Sequence, residues 1–164
     1  MRVGLAVRIV TLAERPDLVP VVAAWQTHAF PDEVTEAAAL ARVSAQVAAV
    51  GPDQVFVLLA GEGPAGTASL VRQDLPARPD LTPWLASVYV APTYRGRGYA
   101  ASLVAAVEAA AKNAAIRTLW LFTASEKRLY ARFGWIEVGH EVDAGKQVTL
   151  MRRELDDPAP ARDP

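Results

Sequence analysis

The segment from residue 84 to residue 113 constrains the fold of this chain more than any other. It begins with an apolar run typical of a buried strand and breaks at Pro92. It then passes through a basic turn that contains Gly96 and Gly98, and it ends in an alanine-rich stretch typical of a helix. Free backbone N–H groups and the positive end of a helix dipole meet at such a turn, which therefore binds phosphate. Because glycine has no Cβ, an anion can approach the backbone closely. The sequence thus predicts a ligand with a diphosphate or several phosphates.

This turn matches neither of the common nucleotide-binding patterns. It lacks the third glycine of the dinucleotide fingerprint, and no lysine followed by serine or threonine closes it as in a phosphate loop. A generic nucleotide-binding domain that uses the turn for another phosphate compound stays open as an alternative.

Two segments together resemble the GCN5-related N-acetyltransferases. Motif A of that family has Gln or Arg, two variable residues, Gly, one residue, then Gly or Ala, and Arg95, Gly98 and Ala100 fill its three fixed positions. Residues 129–135, Leu-Tyr-Ala-Arg-Phe-Gly-Trp, are similar to the later Leu-Tyr-x-x-x-Gly-aromatic signature. Both segments occur in the right order with a predicted strand between them, which is far more specific than either one alone.

The resemblance implies acetyl-CoA as co-substrate and a set of residues that would hold it. The strand before the turn would pair with the pantetheine arm through Val88 and Val90, and Thr123 stands where the family often has an asparagine that helps to hold this arm. Tyr130 occupies the family's usual position for a general acid. The turn residues expected to bind the diphosphate are Arg95, Gly96, Arg97, Gly98, Tyr99 and Ala100.

The pattern of apolar residues predicts the order β-α-α-β-β-β-α-β-α-β-β. The strands are predicted at residues 3–10, 54–60, 65–71, 84–90, 118–122, 135–142 and 147–152, and the helices at 16–29, 35–50, 99–113 and from a capping box at 123–126 to about 133. This order predicts a mixed α/β fold, with a mostly antiparallel central sheet flanked by helices and one parallel β-α-β step at the cofactor site. We expect one domain over residues 1–155 and a short flexible tail over 156–164.

Composition excludes several classes of function. The 164 residues contain no cysteine, which excludes disulfides, thiolate metal ligands and a cysteine nucleophile, and the two histidines have no metal-binding spacing, so no metal is expected. A formal net charge of −1 gives no reason to expect nucleic acid or an anionic membrane as a partner. No secretion signal and no run of about 20 apolar residues is apparent. We therefore expect a cytoplasmic protein.

The acceptor and its general base are less visible in the sequence. No Asp or Glu lies on the strand at 84–90, where many relatives carry one. The candidates that flank predicted loops are His28, Asp32, Glu33 and Asp80, and Ser87 is a candidate for orienting a water. Aromatic residues supply shape and apolar area to a pocket. The predicted acceptor contacts are Trp84, Phe30 and His28, with core packing as the competing interpretation of each aromatic residue.

Two hypotheses of function follow from these observations. The first is an acetyl-CoA-dependent N-acetyltransferase that moves an acetyl group to a primary amine, of a small molecule or a peptide, by direct attack in a ternary complex. The alternative is a non-catalytic module of the same fold that binds or senses acyl-CoA, which the missing base and Thr123 motivate. Dimers are common among members of the resembled family, so a homodimer is a further expectation.

Overall fold

Seven strands form a single sheet in the order β1-β2-β3-β4-β5-β7-β6 in the computed structural model, which describes residues 5–29, 34–48 and 52–155. The strands are β1 Val7–Thr11, β2 Gln54–Ala60, β3 Gly63–Val71, β4 Trp84–Val90, β5 Thr118–Thr123, β6 Ile136–Asp143 and β7 Lys146–Glu154. The helices are α1 Val19–Ala29, α2 Glu36–Ala48, α3 Tyr99–Asn113 and α4 Lys127–Arg132. Each neighbouring pair of strands is antiparallel except β4 and β5, which are parallel.

The predicted element order and fold class are confirmed, and the differences lie at element ends. The predicted first strand began at residue 3, but β1 begins at Val7, and residues 1–4 lie outside the described part. The predicted capping box forms only in part. Thr123 Oγ1 accepts a hydrogen bond from the Glu126 N–H at 2.9 Å, yet Thr123 still belongs to β5 and α4 starts at Lys127. The expected tail at 156–164 also lies outside the described residues.

Helices pack on both faces of this sheet because its strands are apolar on both faces. On one face, Leu103 and Val107 of α3 pack against Leu58, Leu85 and Leu121. The opposite face packs against α1 and α2, and the buried residues of this second core include Val10, Leu12, Val57 and Leu59 together with Val22 of α1 and Val43 of α2. No helix of the described residues is long and apolar enough to cross a membrane.

The parallel pairing of β4 and β5 is confined to the start of β4. Trp84 is in register with Trp120, and the Trp120 N–H donates to the Pro83 carbonyl at 3.2 Å. Past this point β4 bulges away from its register with β3, and Ser87 has a left-handed φ of +55° at the irregularity. Bulges bend a strand and are common beside functional sites. The two strands therefore separate toward their carboxyl ends.

The loop between β3 and β4 covers the face of the sheet that α1 and α2 leave open. Leu75 and Leu81 of this loop pack against Trp84 and Phe122. Arg78 forms an ion pair with Glu141 of β6 at 3.3 Å. These contacts fix the loop over β4 and β5 and bring it to the β6–β7 hairpin.

Gly66 on β3 provides a stability test of the packing beside β4. A Cβ at this position would lie 2.7 Å from the Tyr89 carbonyl oxygen and 3.0 Å from Leu103 Cδ1. We expect Gly66→Ala to lower the free energy of unfolding by about 1–3 kcal/mol, as overpacking does, measured by denaturant titration. Gly139→Ala is the matched control, because a Cβ there meets nothing within 4 Å. Equal stability of the two variants would contradict the described β3–β4–α3 contact.

Candidate active site

A cleft of about 530 Å³ lies where β4 and β5 separate. Its walls come from residues 85–88 of β4, the end of β5 with the start of α4, the β3–β4 loop and the tip of the β6–β7 hairpin, with Ala29 of α1 and Arg42 of α2. The residues from β4 and β5 are Leu85, Ala86, Ser87, Val88, Leu121, Phe122 and Thr123.

This cleft passes through the sheet, because its lining includes side chains from both faces. Leu85, Leu121 and Tyr130 belong to the core on the α3 face. Ala86 and Phe122 pack with the opposite core under the β3–β4 loop. One ligand can therefore reach the gap from the α3 face and another from the face of α1, α2 and the loop.

The glycine turn before α3 has the geometry of an anion cradle. Gly96 and Gly98 both have φ of +79°, a region that favours glycine, and a Cβ on either one would meet nothing within 4 Å. No acceptor within the described chain bonds the N–H groups of residues 96–101. Open space beside free donors at the N-terminus of a 15-residue helix suits a diphosphate. The residues present therefore fit the diphosphate of CoA.

The two arginines of the turn lie in different places. Arg95 folds back toward β4, where its Nε donates to the Val90 carbonyl at 2.9 Å and its guanidinium lies 5.6 Å from the centre of the Tyr89 ring. Arg97 is exposed and lies 5.7 Å from the centre of the Tyr94 ring. Arg95 thus braces the turn against β4, whereas Arg97 keeps its charge in solvent beside the free N–H groups.

The outer edge of β4 is open toward β5. The Ala91 N–H donates to the Ala65 carbonyl of β3 at 2.8 Å. Since backbone groups alternate between the two edges of a strand, the groups of Val88 and Val90 face away from β3. Val88 lines the cleft, while the Val90 carbonyl already accepts from Arg95. An extended, amide-bearing arm can therefore pair with this edge as an added strand does.

Tyr130 lines the cleft from α4 and is only 9% exposed. Its ring packs edge-on against Phe133 and Trp135, with centroids 6.4 and 6.5 Å away. Its hydroxyl has no hydrogen-bond partner in the described part of the chain. Burial, with a further contribution from the Glu126 carboxylate, raises the pKa of Tyr130 to about 12. The side chain is thus a fixed, protonated donor at neutral pH.

Thr123 also lines the cleft, at the end of β5. Its oxygen accepts from the Glu126 N–H, which leaves the hydroxyl hydrogen available to a ligand. Thr123 thus offers a single hydroxyl donor at the position where the resembled family often has the side-chain amide of an asparagine.

The predicted acceptor contacts are not brought together. Trp84 is completely buried, donates from Nε1 to the Leu81 carbonyl at 2.8 Å and does not line the cleft, so its packing role argues against substrate contact. His28 is exposed in the last turn of α1 and is absent from the cleft lining, although the adjacent Ala29 lines it. Phe30 lies outside the described residues, as do Asp32 and Glu33.

Like His28, the candidate base Asp80 lies outside the cleft lining. Both of its carboxylate oxygens accept from Arg78, at 3.0 and 2.9 Å, and this pairing lowers the pKa of Asp80. Such a carboxylate is poorly suited to take up a proton. Ser87, the candidate for orienting a water, does line the cleft.

Asp74 of the β3–β4 loop is a cleft residue that sequence reasoning missed. It is half-buried, and burial raises its pKa to about 7, with Arg42 opposing this effect and Asp143 adding to it. The chain offers no motif around Asp74, since its position depends on long-range packing of the loop. The neighbouring Leu75, an apolar residue in a polar loop, is the one signal that this point folds back onto the core.

Comparisons with known proteins agree with this fold. A family model described as the acetyltransferase (GNAT) family matches residues 19–135. No match was found in a search of curated proteins. The similar solved structures include yncA of Salmonella typhimurium with its cofactor acetyl-CoA, at 19% identity and a TM-score of 0.69, covering 96% of this chain and 98% of that one.

Two further similar structures are of enzymes whose names include an amine compound. An aminoglycoside 6'-N-acetyltransferase complexed with coenzyme A has 14% identity and a TM-score of 0.75, covering 93% of this chain and 99% of that one. A spermidine N-acetyltransferase mutant from Vibrio cholerae has 16% identity and a TM-score of 0.69, covering 91% and 94%. At these identities the likeness concerns the fold.

The raised pKa of Asp74 predicts a pH-dependent stability difference. Because the folded state holds this proton up to about pH 7 and the unfolded chain releases it near 4, the group lowers stability as pH rises through this window. We expect Asp74→Asn to be more stable than wild type by about 1–3 kcal/mol at pH 8, with the difference vanishing below pH 4. Thermal and denaturant unfolding from pH 4 to 8 measure it. A difference independent of pH would contradict the assigned environment.

Proposed function

The chain belongs to the GNAT family of acetyltransferases, and from this premise we propose that it transfers the acetyl group of acetyl-CoA to a primary amine by direct attack in a ternary complex. The observation that carries the proposal is the cleft between β4 and β5, which is lined from both faces of the sheet. Two ligands can then meet in the gap without leaving it, so no covalent relay through the protein is needed.

Acetyl-CoA would enter from the α3 face. The free N–H groups of residues 96–101 would bind its diphosphate, with Arg97 adding charge, while the open edge of β4 at Val88 would pair with the pantetheine arm. Each hydrogen bond to a charged group contributes about 1.5–3 kcal/mol. When bound, acetyl-CoA supplies the thioester as an activated acyl donor. The turn and the β4 edge together would direct this thioester into the gap beside Tyr130.

Backbone N–H groups on the open edge of β4, near Val90, would stabilise negative charge on the thioester oxygen as the amine attacks. Tyr130 would then donate a hydrogen bond to the departing sulfur. With a tyrosine pKa of about 12 against a thiol pKa near 8.5, complete proton transfer would be uphill by about 5 kcal/mol. Tyr130 is therefore proposed to stabilise the thiolate by hydrogen bonding, with solvent supplying its proton afterwards.

An amine acceptor is favoured by the chemistry of the other side of the cleft. Asp74 and Asp143 line it with Arg42 and Lys146, so carboxylates face the space that an acceptor would enter. The names of the similar aminoglycoside and spermidine enzymes are consistent with an amine acceptor.

The reaction is tested by incubating the protein with acetyl-CoA and a panel of primary amines. The panel should include a polyamine, an aminoglycoside, free amino acids and a lysine peptide. We expect release of free thiol in step with an N-acetylated product, identified by mass spectrometry. Tight acetyl-CoA binding without product from any amine would instead support the non-catalytic acyl-CoA module.

Gly98 provides a test of the diphosphate site. Gly98→Ala strains the left-handed backbone and places a methyl group in the cradle, so we expect acetyl-CoA affinity to fall about 10- to 100-fold, the loss of one or two donor contacts. Isothermal titration calorimetry measures it. Gly61→Ala is the control, because Gly61 also has a positive φ, +62°, but lies in the β2–β3 turn. If both variants lost affinity equally, general strain would explain the effect and the cradle would be refuted.

Tyr130→Phe tests the role at the sulfur. We expect kcat to fall about 10²- to 10⁴-fold, the range typical of acid–base catalysis, with the Kd of acetyl-CoA changed less than about threefold. Melting curves should stay close to those of wild type, because the ring and its contacts with Phe133 and Trp135 are retained. A variant with wild-type kcat would remove Tyr130 from the mechanism.

A further inference from the structure

We propose that Asp74 is the general base that takes the proton from the acceptor amine. This inference rests on the proposed acetyl transfer and adds the group that the sequence leaves unassigned. It assigns the β3–β4 loop a catalytic role that no motif of the chain suggests.

The position of Asp74 within the cleft is the first observation. Asp74 and Pro76 line the cleft from the β3–β4 loop, which covers the face of the sheet opposite α3. Tyr130 lines the same cleft from α4 and belongs to the core on the α3 face. A donor that comes from the α3 face must be attacked from the other face, and Asp74 lies on the side from which the acceptor enters.

The second observation is how firmly the loop is held. Leu75, directly after Asp74, is 1% exposed and packs with Trp84 and Val148. Arg78 joins the loop to β6 through Glu141, and the Thr82 hydroxyl donates to the Arg72 carbonyl at 2.7 Å. A general base must lie within hydrogen-bond reach of the proton that it removes, and a loop fixed at both ends can hold a carboxylate in that position.

The charges around Asp74 form the third observation. Arg42 of α2, Asp143 and Lys146 of the β6–β7 hairpin, and Glu126 and Tyr130 beside β5 share the cleft with it. Arg42 is engaged elsewhere, because its Nη2 and Nε donate to Gln26 Oε1 at 2.6 and 3.2 Å. Asp74 itself has no hydrogen bond or ion pair among the described residues. Burial first, and then the Asp143 carboxylate, raise its pKa to about 7 against the pull of Arg42. A base is most effective when its pKa lies near the working pH.

The proposed reaction begins with a proton transfer at the acceptor nitrogen. The ionised Asp74 carboxylate takes one proton from the acceptor ammonium, and the freed lone pair forms the new C–N bond. The nitrogen loses its second proton to solvent as the amide forms. The C–S bond then breaks, and its electron pair leaves on sulfur, which accepts a hydrogen bond from Tyr130. Asp74 returns its proton to solvent before the next turnover.

The test compares pH profiles of kcat/KM for wild type and Asp74→Asn with an amine found to be a substrate. Wild-type kcat/KM should rise with pH through about 7, as the carboxylate ionises. In Asp74→Asn, the rise of kcat/KM near pH 7 should be absent, and kcat/KM at pH 7 should be about 10²- to 10⁴-fold lower than in wild type. The Kd for acetyl-CoA should be unchanged. The defect should shrink toward the pKa of the amine, because the acceptor then arrives deprotonated. Asp74→Glu should recover part of the activity.

Two further variants separate the role of Asp74 from the effect of altering the loop or the local charge. Asp80→Asn changes a carboxylate of the same loop that is paired with Arg78 and absent from the cleft lining, and it should keep the wild-type profile. Asp143→Asn removes a negative charge near Asp74, so the rise of kcat/KM should remain but move to lower pH. If Glu126→Gln lacked the rise of kcat/KM near pH 7 while Asp74→Asn kept it, Glu126 would be the general base and the proposal would be overturned.

Acetylation by wild type and the effect of Asp74→Asn are separate readouts. If wild type acetylates an amine and Asp74→Asn shows the same rate and pH profile, acetyl transfer stands and Asp74 is not the base. If wild type acetylates no amine at any pH, the proposed function fails and the role of Asp74 fails with it.

Discussion

The separation of β4 from β5 is the constraint on which the site depends. The two strands pair in parallel at Trp84 and Trp120, and Trp84 is held by its own hydrogen bond to Leu81 and by edge contact with Phe122 at 6.1 Å. Beyond that point the bulge at Ser87 turns β4 away. A sheet that stayed paired would bury the backbone groups of Val88 and Val90 and would close the cleft. The buried Trp84 does not line the gap, but it fixes the point of the sheet beyond which β4 and β5 separate.

The β4 side of this gap and the glycine turn belong to one continuous segment, residues 84–113. The strand β4 ends at Val90, Pro92 begins the turn, and α3 starts at Tyr99 with its first N–H groups free. Arg95 ties the turn back to β4 through the Val90 carbonyl. The glycine turn and the open edge of β4, which are proposed to bind the diphosphate and the pantetheine arm, are therefore fixed relative to each other. A rigid spacing between these two parts is what an extended ligand with a reactive end requires, because it sets the depth to which the thioester enters the gap.

Sequence patterns predicted the fold and the strand-turn-helix structure around the glycine turn because these depend on local features. Periodicity and glycine chemistry specify β4, the turn and α3 with the bounds that the structure has, and Tyr130 belongs to a compact local signature. The acceptor side depends on contacts between residues far apart in the chain. Asp74 reaches the cleft only because Leu75 packs under a loop that Arg78 joins to Glu141. An aromatic residue shortly before a binding turn is compatible both with a pocket contact and with a place in the core. Trp84 was predicted to contact the acceptor, and in the structure it is buried in the core.

The most direct measurement of the central claim is a crystal structure of the protein with CoA bound. We predict that the diphosphate accepts hydrogen bonds from backbone N–H groups within residues 96–101, that the pantetheine arm lies along β4 at Val88, and that the sulfur lies within hydrogen-bond distance of the Tyr130 hydroxyl. CoA bound away from the glycine turn, or a sulfur outside the gap between β4 and β5, would contradict the claim that this gap is the site of acetyl transfer.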